Sequence, residues 1–92
     1  MPTDVNVKRT DDYSIVYIRW LLGEPNGKIL FYEVEYRNLE TGSIRIKNST
    51  YKNITIRGLV PSNAYSFRVS ALYISAYALA SCTKEIVCLF LP

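Results

Sequence analysis

Histidine is absent from the 92-residue sequence. It is the commonest general base and metal ligand near neutral pH, so its absence removes the usual centre of acid–base and metal chemistry. The two cysteines do not make a zinc site without histidine. The four glycines, at positions 23, 27, 42 and 58, are too dispersed to form a phosphate-binding loop. We therefore expect no enzymatic activity, no cofactor and no metal site.

Long hydrophobic runs are also missing. No stretch of 18 apolar residues occurs, and no secretory signal peptide begins the chain. We therefore expect no direct insertion of this chain into a membrane. Met1 is followed at once by Pro2, Thr3 and Asp4, which is typical of a fragment cut from a longer protein. Any targeting sequence or membrane anchor is then expected outside residues 1–92.

Charge is present but not concentrated. The formal net charge is +3, and the eleven lysines and arginines are scattered along the chain. A nucleic-acid-binding module usually carries a dense basic patch, so we expect no nucleic acid partner. Glu33 and Glu35 share a face of a predicted strand, but they alternate with apolar residues. They therefore predict a solvated surface rather than an acid–base pair, which needs an environment that splits the two pKa values.

Strict alternation of apolar and polar residues is the strongest pattern. It runs through "YSIVYIRW", "YEVEYRN", "NITIRGL" and "YSFRVSA". A period of two predicts β-strands with one buried face. Turn signals at 23–27, 39–43 and 58–63 separate these stretches. Shorter patterns at the start, middle and end bring the number of predicted strands to seven.

Seven short antiparallel strands predict an all-β fold in which two sheets pack face to face. With 49% hydrophobic and 21% charged residues, the composition is that of an ordinary globular domain. We expect residues 1–92 to form one domain. A closed barrel is the competing architecture.

The order of several motifs resembles that of a fibronectin type III domain. Pro2 precedes the first predicted strand and Trp20 closes the second. "NGKI" (26–29) leads into "YEVEY" (32–36), and "ITIRGLVPSNAYSFRVSA" (54–71) follows. The similarity covers nearly the whole chain and is strongest over residues 14–72. It implies an immunoglobulin-like sandwich that is one repeat of a larger extracellular or cell-surface protein.

Four residues within this resemblance are expected to be structural. Trp20 is in phase with the apolar residues of its strand and can fill the space between two sheets. Leu59 and Pro61 are expected to end one strand and carry the chain across to the other sheet. Tyr65 resembles the tyrosine corner, in which the hydroxyl returns to a backbone group a few residues upstream. If Tyr65 is instead one more buried aromatic, it is structural all the same.

The chain departs from the family after residue 72. "YISAYALAS" (73–81) contains no glycine and no charge. We predict that residues 72–80 form an apolar connection, and connections often carry function. The hypothesis is contact with a neighbouring domain or an extracellular ligand, made by Tyr73, Ile74, Tyr77 and Leu79. In the alternative, these residues extend the last two strands and pack inward. Residues 21–31 are a second candidate for contact.

Two triplets fit the acceptor pattern for an N-linked glycan: "NST" at Asn48 and "NIT" at Asn53. The alternation places Asn53 on a solvent face, and Asn48 is predicted to lie in a connection. A glycan would be tolerated at both places and would shield the sheet face that carries it. The alternative is that both are ordinary polar surface residues.

Cys82 and Cys88 lie six residues apart. On one extended strand their Cα atoms would be about 20 Å apart, beyond the limit of about 7 Å for a disulfide. Free buried thiols, a bridge allowed by an irregular tail, and pairing with another domain all remain open.

The sequence thus predicts a non-catalytic protein-interaction or spacer module, monomeric as an isolated domain, in an extracellular or cell-surface protein of the receptor or adhesion type. Two alternatives stay open: a ligand-recognition domain of a cytokine-type receptor, and an intracellular structural repeat of the muscle type. Neither "RGD" nor a tryptophan-serine repeat is present to support an integrin ligand or a cytokine receptor.

Overall fold

The predicted alternation appears as strands in the computed structural model, which describes the backbone of residues 2–22, 28–74 and 79–90 and the side chains of 2–21 and 28–72. Seven strands occur in these ranges: β1 (Pro2–Arg9), β2 (Val16–Leu22), β3 (Lys28–Asn38), β4 (Ile44–Ser49), β5 (Asn53–Ile56), β6 (Ala64–Ile74) and β7 (Leu79–Phe90).

The strands form two antiparallel sheets. The three-stranded sheet has the order β1-β2-β5, and the four-stranded sheet has the order β4-β3-β6-β7. The predicted all-β fold with two antiparallel sheets is therefore confirmed. Within the described ranges no helix occurs, and hence none that is long and apolar enough to cross a membrane.

The core lies between the sheets and is built by the period-two pattern. On β2 the side chains of Val16 and Ile18 are fully buried, and Val34 and Phe67 are their counterparts on β3 and β6. Each such side chain stabilises the fold by about 1.5–3 kcal/mol relative to an exposed position. Every second residue of these strands therefore contributes to packing, and function must lie on the outer faces, the edges or the ends.

Several boundaries predicted from the sequence are wrong. Trp20 does not close β2, which continues to Leu22, and β5 ends at Ile56, before Leu59 and Pro61. Pro2 does not precede the first strand but begins it, opposite Leu22, with its ring buried. Proline is tolerated there because it is the first residue of an edge strand. Asn48 does not lie in a connection but in β4, opposite Glu33, because the ladder with β3 continues as far as Ser49.

The predicted connection at 72–80 is largely strand. Tyr73 pairs with Ala80, and Ile74 pairs with Leu79. Leu72 to Ile74 therefore continue β6, and β7 begins at Leu79, earlier than the sequence pattern suggested. Only residues 75–78 separate these strands, and they lie outside the described residues.

Strand β7 contains both cysteines. Six residues of extended strand separate Cys82 from Cys88, which places their Cα atoms about 20 Å apart. A disulfide between the two is incompatible with this backbone, because a bridge needs Cα atoms within about 7 Å.

Candidate functional site

The crossing from β5 to β6 (residues 57–63) is held by the hydroxyl group of Tyr65 together with a backbone hydrogen bond of 3.0 Å from the Leu59 N–H to the Ser14 carbonyl. The backbone N–H of Val60 donates a hydrogen bond of 2.7 Å to the hydroxyl oxygen of Tyr65. The ring of Tyr65 is 4% exposed and stacks on Phe67, with ring centroids 6.4 Å apart. Leu59 is buried beside it, whereas Pro61 is exposed. Tyr65 thus holds a backbone group five residues upstream, a structural contact that carries no reactive chemistry.

Asn38 is the buried polar residue that the sequence reasoning missed. It ends β3 and is 6% exposed. Its Nδ2 donates to the Tyr65 hydroxyl at 3.1 Å, and its Oδ1 accepts from the backbone N–H of Glu40 at 2.9 Å and of Thr41 at 3.3 Å. One side chain therefore joins the β3–β4 turn to the β5–β6 crossing. An asparagine before a turn is a readable signal, but its partner Tyr65 lies 27 residues away and gives no local signal.

A groove of about 210 Å³ opens beside these residues. It lies between the β4 edge and the β5–β6 crossing and is lined by Tyr36, Asn38, Thr41, Ser43, Arg45, Gly58, Leu59, Val60 and Tyr65. The polar groups of Asn38 and Tyr65 are already used in structural hydrogen bonds. None of the lining residues carries a carboxylate, so the groove has no paired acid and base.

The opposite end of the core is filled by Trp20. Its ring is 2% exposed and meets Tyr32 of the other sheet edge-to-face, with ring centroids 5.3 Å apart and an interplanar angle of 65°. The pair bridges the two sheets. Burial raises the pKa of the Tyr32 phenol above its ordinary value. The indole N–H of Trp20 has no hydrogen-bond partner within the described ranges, so this side chain serves packing.

The outer face of the four-stranded sheet carries the paired glutamates. Glu35 lies opposite Arg68 on β6, and the two side chains form an ion pair of 3.6 Å. Both are partly exposed, so this ion pair contributes at most about 1 kcal/mol to stability. Glu33 lies opposite Ser70. No group of three metal-ligating side chains occurs among the described residues.

The two predicted glycan acceptors lie on different sheets. Asn48 is exposed and shares the outer face of the four-stranded sheet with Glu33. Asn53 is exposed and shares the outer face of the three-stranded sheet with Arg19. A glycan at each position would cover a different face of the sandwich. Two glycans would therefore shield two faces, where the sequence led us to expect one shielded face.

The predicted contact residues are only partly described. Tyr73 and Ile74 lie on β6 and Leu79 lies on β7, but their side chains are outside the described residues, as is all of Tyr77. Their protein-contact role stays a prediction. The second candidate stretch, 21–31, includes Leu21, which is 56% exposed, and Leu30, which is 39% exposed.

Strand β4 forms an exposed edge that the sequence pattern did not reveal. Ile44 and Ile46 lie opposite Arg37 and Glu35 on the outer face, and they are 50% and 55% exposed. The alternation of "SIRIK" favours buried isoleucines. Instead, all residues from Ile44 to Asn48 are exposed, because the edge strand is not covered on either face.

The β1–β2 connection (residues 10–15) is fixed by local hydrogen bonds. The carboxylate of Asp12 accepts from the hydroxyl of Ser14 at 2.7 Å and from its backbone N–H at 2.9 Å. These bonds, with a smaller effect of Arg57, hold the pKa of Asp12 below its ordinary value. The hydroxyl of Thr10 lies within donating distance of two carbonyl oxygens of the same connection, those of Asp12 at 2.9 Å and Ile15 at 3.0 Å. This arrangement shapes a turn and leaves no free acid for chemistry.

Known proteins share both the fold and the sequence pattern. The chain is 29% identical to Interference hedgehog of Drosophila ananassae in a match that covers 78% of this chain and 10% of that protein. A solved myokine structure superposes with a TM-score of 0.78 at 17% identity, covering 99% of this chain and 95% of that one. The twitchin kinase region from C. elegans superposes with a TM-score of 0.77 at 22% identity, covering 99% of this chain and 16% of that one.

The structural likenesses establish the fold, and the family follows from the sequence. The sequence model of the fibronectin type III domain matches residues 1–78. This match includes the Trp20 strand, the crossing and the Tyr65 strand, and it confirms the resemblance drawn from those motifs. The chain therefore belongs to the fibronectin type III family, whose members are generally non-catalytic modules.

Proposed function

We propose that residues 1–92 form a single fibronectin type III module of a larger extracellular or cell-surface protein, and that the module acts by protein contact or by setting a distance between neighbours. The chain spans 10% of the length of Interference hedgehog, as expected if such a module is one part of a longer protein. The proposal depends on how the described side chains are used. The buried polar side chain of Asn38 makes a structural hydrogen bond to Tyr65, whereas apolar side chains are exposed on β4 and at the end of β2.

The extracellular placement is supported by the two acceptor triplets. Both Asn48 and Asn53 are exposed on strand faces, where an attached glycan would meet solvent. The relatives allow both compartments, since fibronectin type III domains occur in cell-surface proteins such as Interference hedgehog and in intracellular proteins such as twitchin. The muscle-type alternative is favoured by the likeness to twitchin, and glycan attachment distinguishes the two.

The contact surface is proposed at the end of the β6–β7 hairpin, where Tyr73, Ile74, Tyr77 and Leu79 cluster along the chain. A partner that binds there would add to the protein contacts that this family commonly makes. The β4 edge is a second candidate surface, because Ile44 and Ile46 offer exposed apolar area flanked by charged groups. If the chain is instead the ligand-recognition domain of a cytokine-type receptor, its ligand would bind at one of these same surfaces.

Substituting Tyr73 and Tyr77 by alanine tests the hairpin surface. We expect a melting temperature within about 2 °C of the wild type, since exposed substitutions change stability by less than about 0.5 kcal/mol. We also expect a loss of at least about tenfold in the binding of the fluorescently labelled chain to the surface of intact cells, since interface tyrosines commonly contribute 1–2 kcal/mol or more. Differential scanning fluorimetry and flow cytometry measure the two quantities.

Tyr13 provides a matched control for this experiment. It is 56% exposed and lies in the β1–β2 connection. Tyr13→Ala removes the same side chain and should leave cell binding unchanged. A large fall in the melting temperature of the Tyr73 and Tyr77 variants would show instead that these residues pack inward, and unchanged binding would move the contact surface to the β4 edge or argue for a spacer.

A further inference from the structure

The turn between β4 and β5 carries an aromatic cavity with no role in the core. The cavity measures about 340 Å³ and is lined by Phe31, Asn48, Ser49, Thr50 and Tyr51. Tyr51 is 74% exposed, which is a high value for so large an aromatic side chain. Neither Phe31 nor Tyr51 belongs to the buried core cluster or to the residues packed against it. The two rings therefore offer apolar surface that the fold itself does not use.

Asn48 and Phe31 lie on the same face of the four-stranded sheet. Asn48 is directly opposite Glu33, and Phe31 stands two residues before Glu33 on β3. Residues in this diagonal relation across an antiparallel pair are about 7–8 Å apart, which is within reach of an aromatic side chain. A group attached to Asn48 therefore emerges beside the ring of Phe31.

The turn that presents Tyr51 is fixed by Ser49, the middle residue of the acceptor triplet. The hydroxyl oxygen of Ser49 accepts from the backbone N–H of Tyr51 at 3.0 Å. The same hydroxyl lies within donating distance of the carbonyl oxygens of Tyr51, at 3.0 Å, and of Asn53, at 2.9 Å. The backbone of the turn is therefore preorganised, and a group that packs against it meets little further cost in ordering the turn.

We propose that Asn48 is N-glycosylated and that the first sugar packs into this cavity against the rings of Phe31 and Tyr51. One face of a pyranose ring presents only C–H groups, and its burial against aromatic carbon removes apolar surface from water. The polar edge of the sugar remains in solvent, as the open cavity requires. This inference rests on the proposed extracellular placement, because the attachment takes place in the secretory pathway.

The covalent step is a glycosyl transfer from a sugar pyrophosphate donor. A bond forms between Nδ2 of Asn48 and C1 of the first sugar. The bond between C1 and the donor oxygen breaks, and the pyrophosphate leaves with the electron pair. The amide loses one proton, which passes through a base to the departing pyrophosphate, so that the linked nitrogen keeps a single N–H.

The packing is tested by a thermodynamic cycle on the full chain. The chain is secreted from eukaryotic cells and is also produced in bacteria, which supplies the same sequence without glycan. In an Asn53→Gln background, we expect a glycosidase mass shift from the secreted protein and a melting temperature about 2–5 °C above that of the bacterial protein. In Phe31→Leu this difference should fall to about 1 °C or less, because leucine keeps apolar bulk but removes the ring face.

Tyr51→Ser is the second variant, for the case in which Phe31→Leu is unstable. Tyr51 is exposed, so this substitution should not prevent folding. It should also reduce the difference between the glycosylated and unglycosylated proteins. Asn53 is the internal control: in an Asn48→Gln background, any glycan-dependent change in melting temperature should be insensitive to Phe31→Leu.

The outcomes separate this inference from the proposed function. A mass shift at Asn53 but none at Asn48 would overturn the glycan site and leave the extracellular placement standing. No mass shift at either residue would overturn the glycan site and the packing of the sugar, and it would remove the support that the two triplets give to the extracellular placement. A mass shift at Asn48 with the same rise in melting temperature in wild type, Phe31→Leu and Tyr51→Ser would overturn the packing of the sugar alone.

Discussion

Replacing Asn38 by alanine is expected to lower the free energy of unfolding by about 2–3 kcal/mol, which for a domain of this size lowers the melting temperature by about 10–20 °C. The amide makes contacts on two sides at once: with the N–H groups of Glu40 and Thr41 in the β3–β4 turn, and with the hydroxyl of Tyr65 at the start of β6. Alanine removes these contacts and leaves a small void at a position that is 6% exposed.

Urea unfolding followed by the fluorescence of Trp20 measures this change, since Trp20 is the single tryptophan and is buried. Asn63→Ala is the matched control, because Asn63 reaches the same Asn38 oxygen only through a long contact of 3.4 Å. We expect less than about 1 kcal/mol for the control. Equal costs for the two variants would show that Asn38 is not the residue that joins the turn to the crossing.

The parts of the fold that follow from local pattern could be predicted from the sequence. Val16, Ile18, Val34 and Phe67 are buried as the period of two requires, and the turn at 39–43 separates β3 from β4. Alternation decides the buried face wherever a strand has a facing sheet to bury it. The two-sheet arrangement and the family follow from these strands and their order.

The parts that depend on long-range geometry could not be predicted in this way. Ile44 and Ile46 are exposed because β4 is an edge strand that is not covered on either face, and no pattern within five residues shows which strand will be at the edge. Asn38 gains its role from Tyr65, which is remote in sequence. The cavity beside Asn48 likewise depends on Phe31, a residue of the neighbouring strand.

The positions of the two proposed acceptor asparagines would restrict where a partner could bind. Asn48 and Asn53 lie on the outer faces of opposite sheets, so two glycans would leave the edges and the ends of the sandwich accessible. The Asn48 glycan would also lie near Leu72, because Phe31 pairs with Leu72 on β6. The proposed hairpin surface lies close by along β6, so removal of a glycan at Asn48 should alter binding there more than removal of a glycan at Asn53.

Tyr65→Phe is expected to lower the free energy of unfolding by about 1–3 kcal/mol, while the folded fraction keeps its partner binding. Phenylalanine preserves the stacking on Phe67 but removes the oxygen that accepts from the Val60 N–H at 2.7 Å and from Asn38 at 3.1 Å. The Val60 N–H and the Asn38 amide then lose their acceptor at a partly buried position, which lowers the stability of the fold. Urea unfolding measures the change in the free energy of unfolding, provided that its dependence on urea concentration is the same for both proteins. The cell-binding assay measures partner binding.

Tyr32→Phe is the matched control for this hydroxyl. Tyr32 is 3% exposed, close to the 4% of Tyr65, and its hydroxyl makes no hydrogen bond within the described part of the chain. Removing this hydroxyl should lower the free energy of unfolding by less than about 0.5 kcal/mol.

Asn38 and Tyr65 share a hydrogen bond, so their effects on stability should not be independent. The Asn38→Ala, Tyr65→Phe double variant should lose less free energy of unfolding than the sum of the two single variants, by about 0.5 kcal/mol or more. Strict additivity, or a wild-type unfolding curve for Tyr65→Phe, would show that the crossing is held by the packing of Leu59 rather than by the hydroxyl.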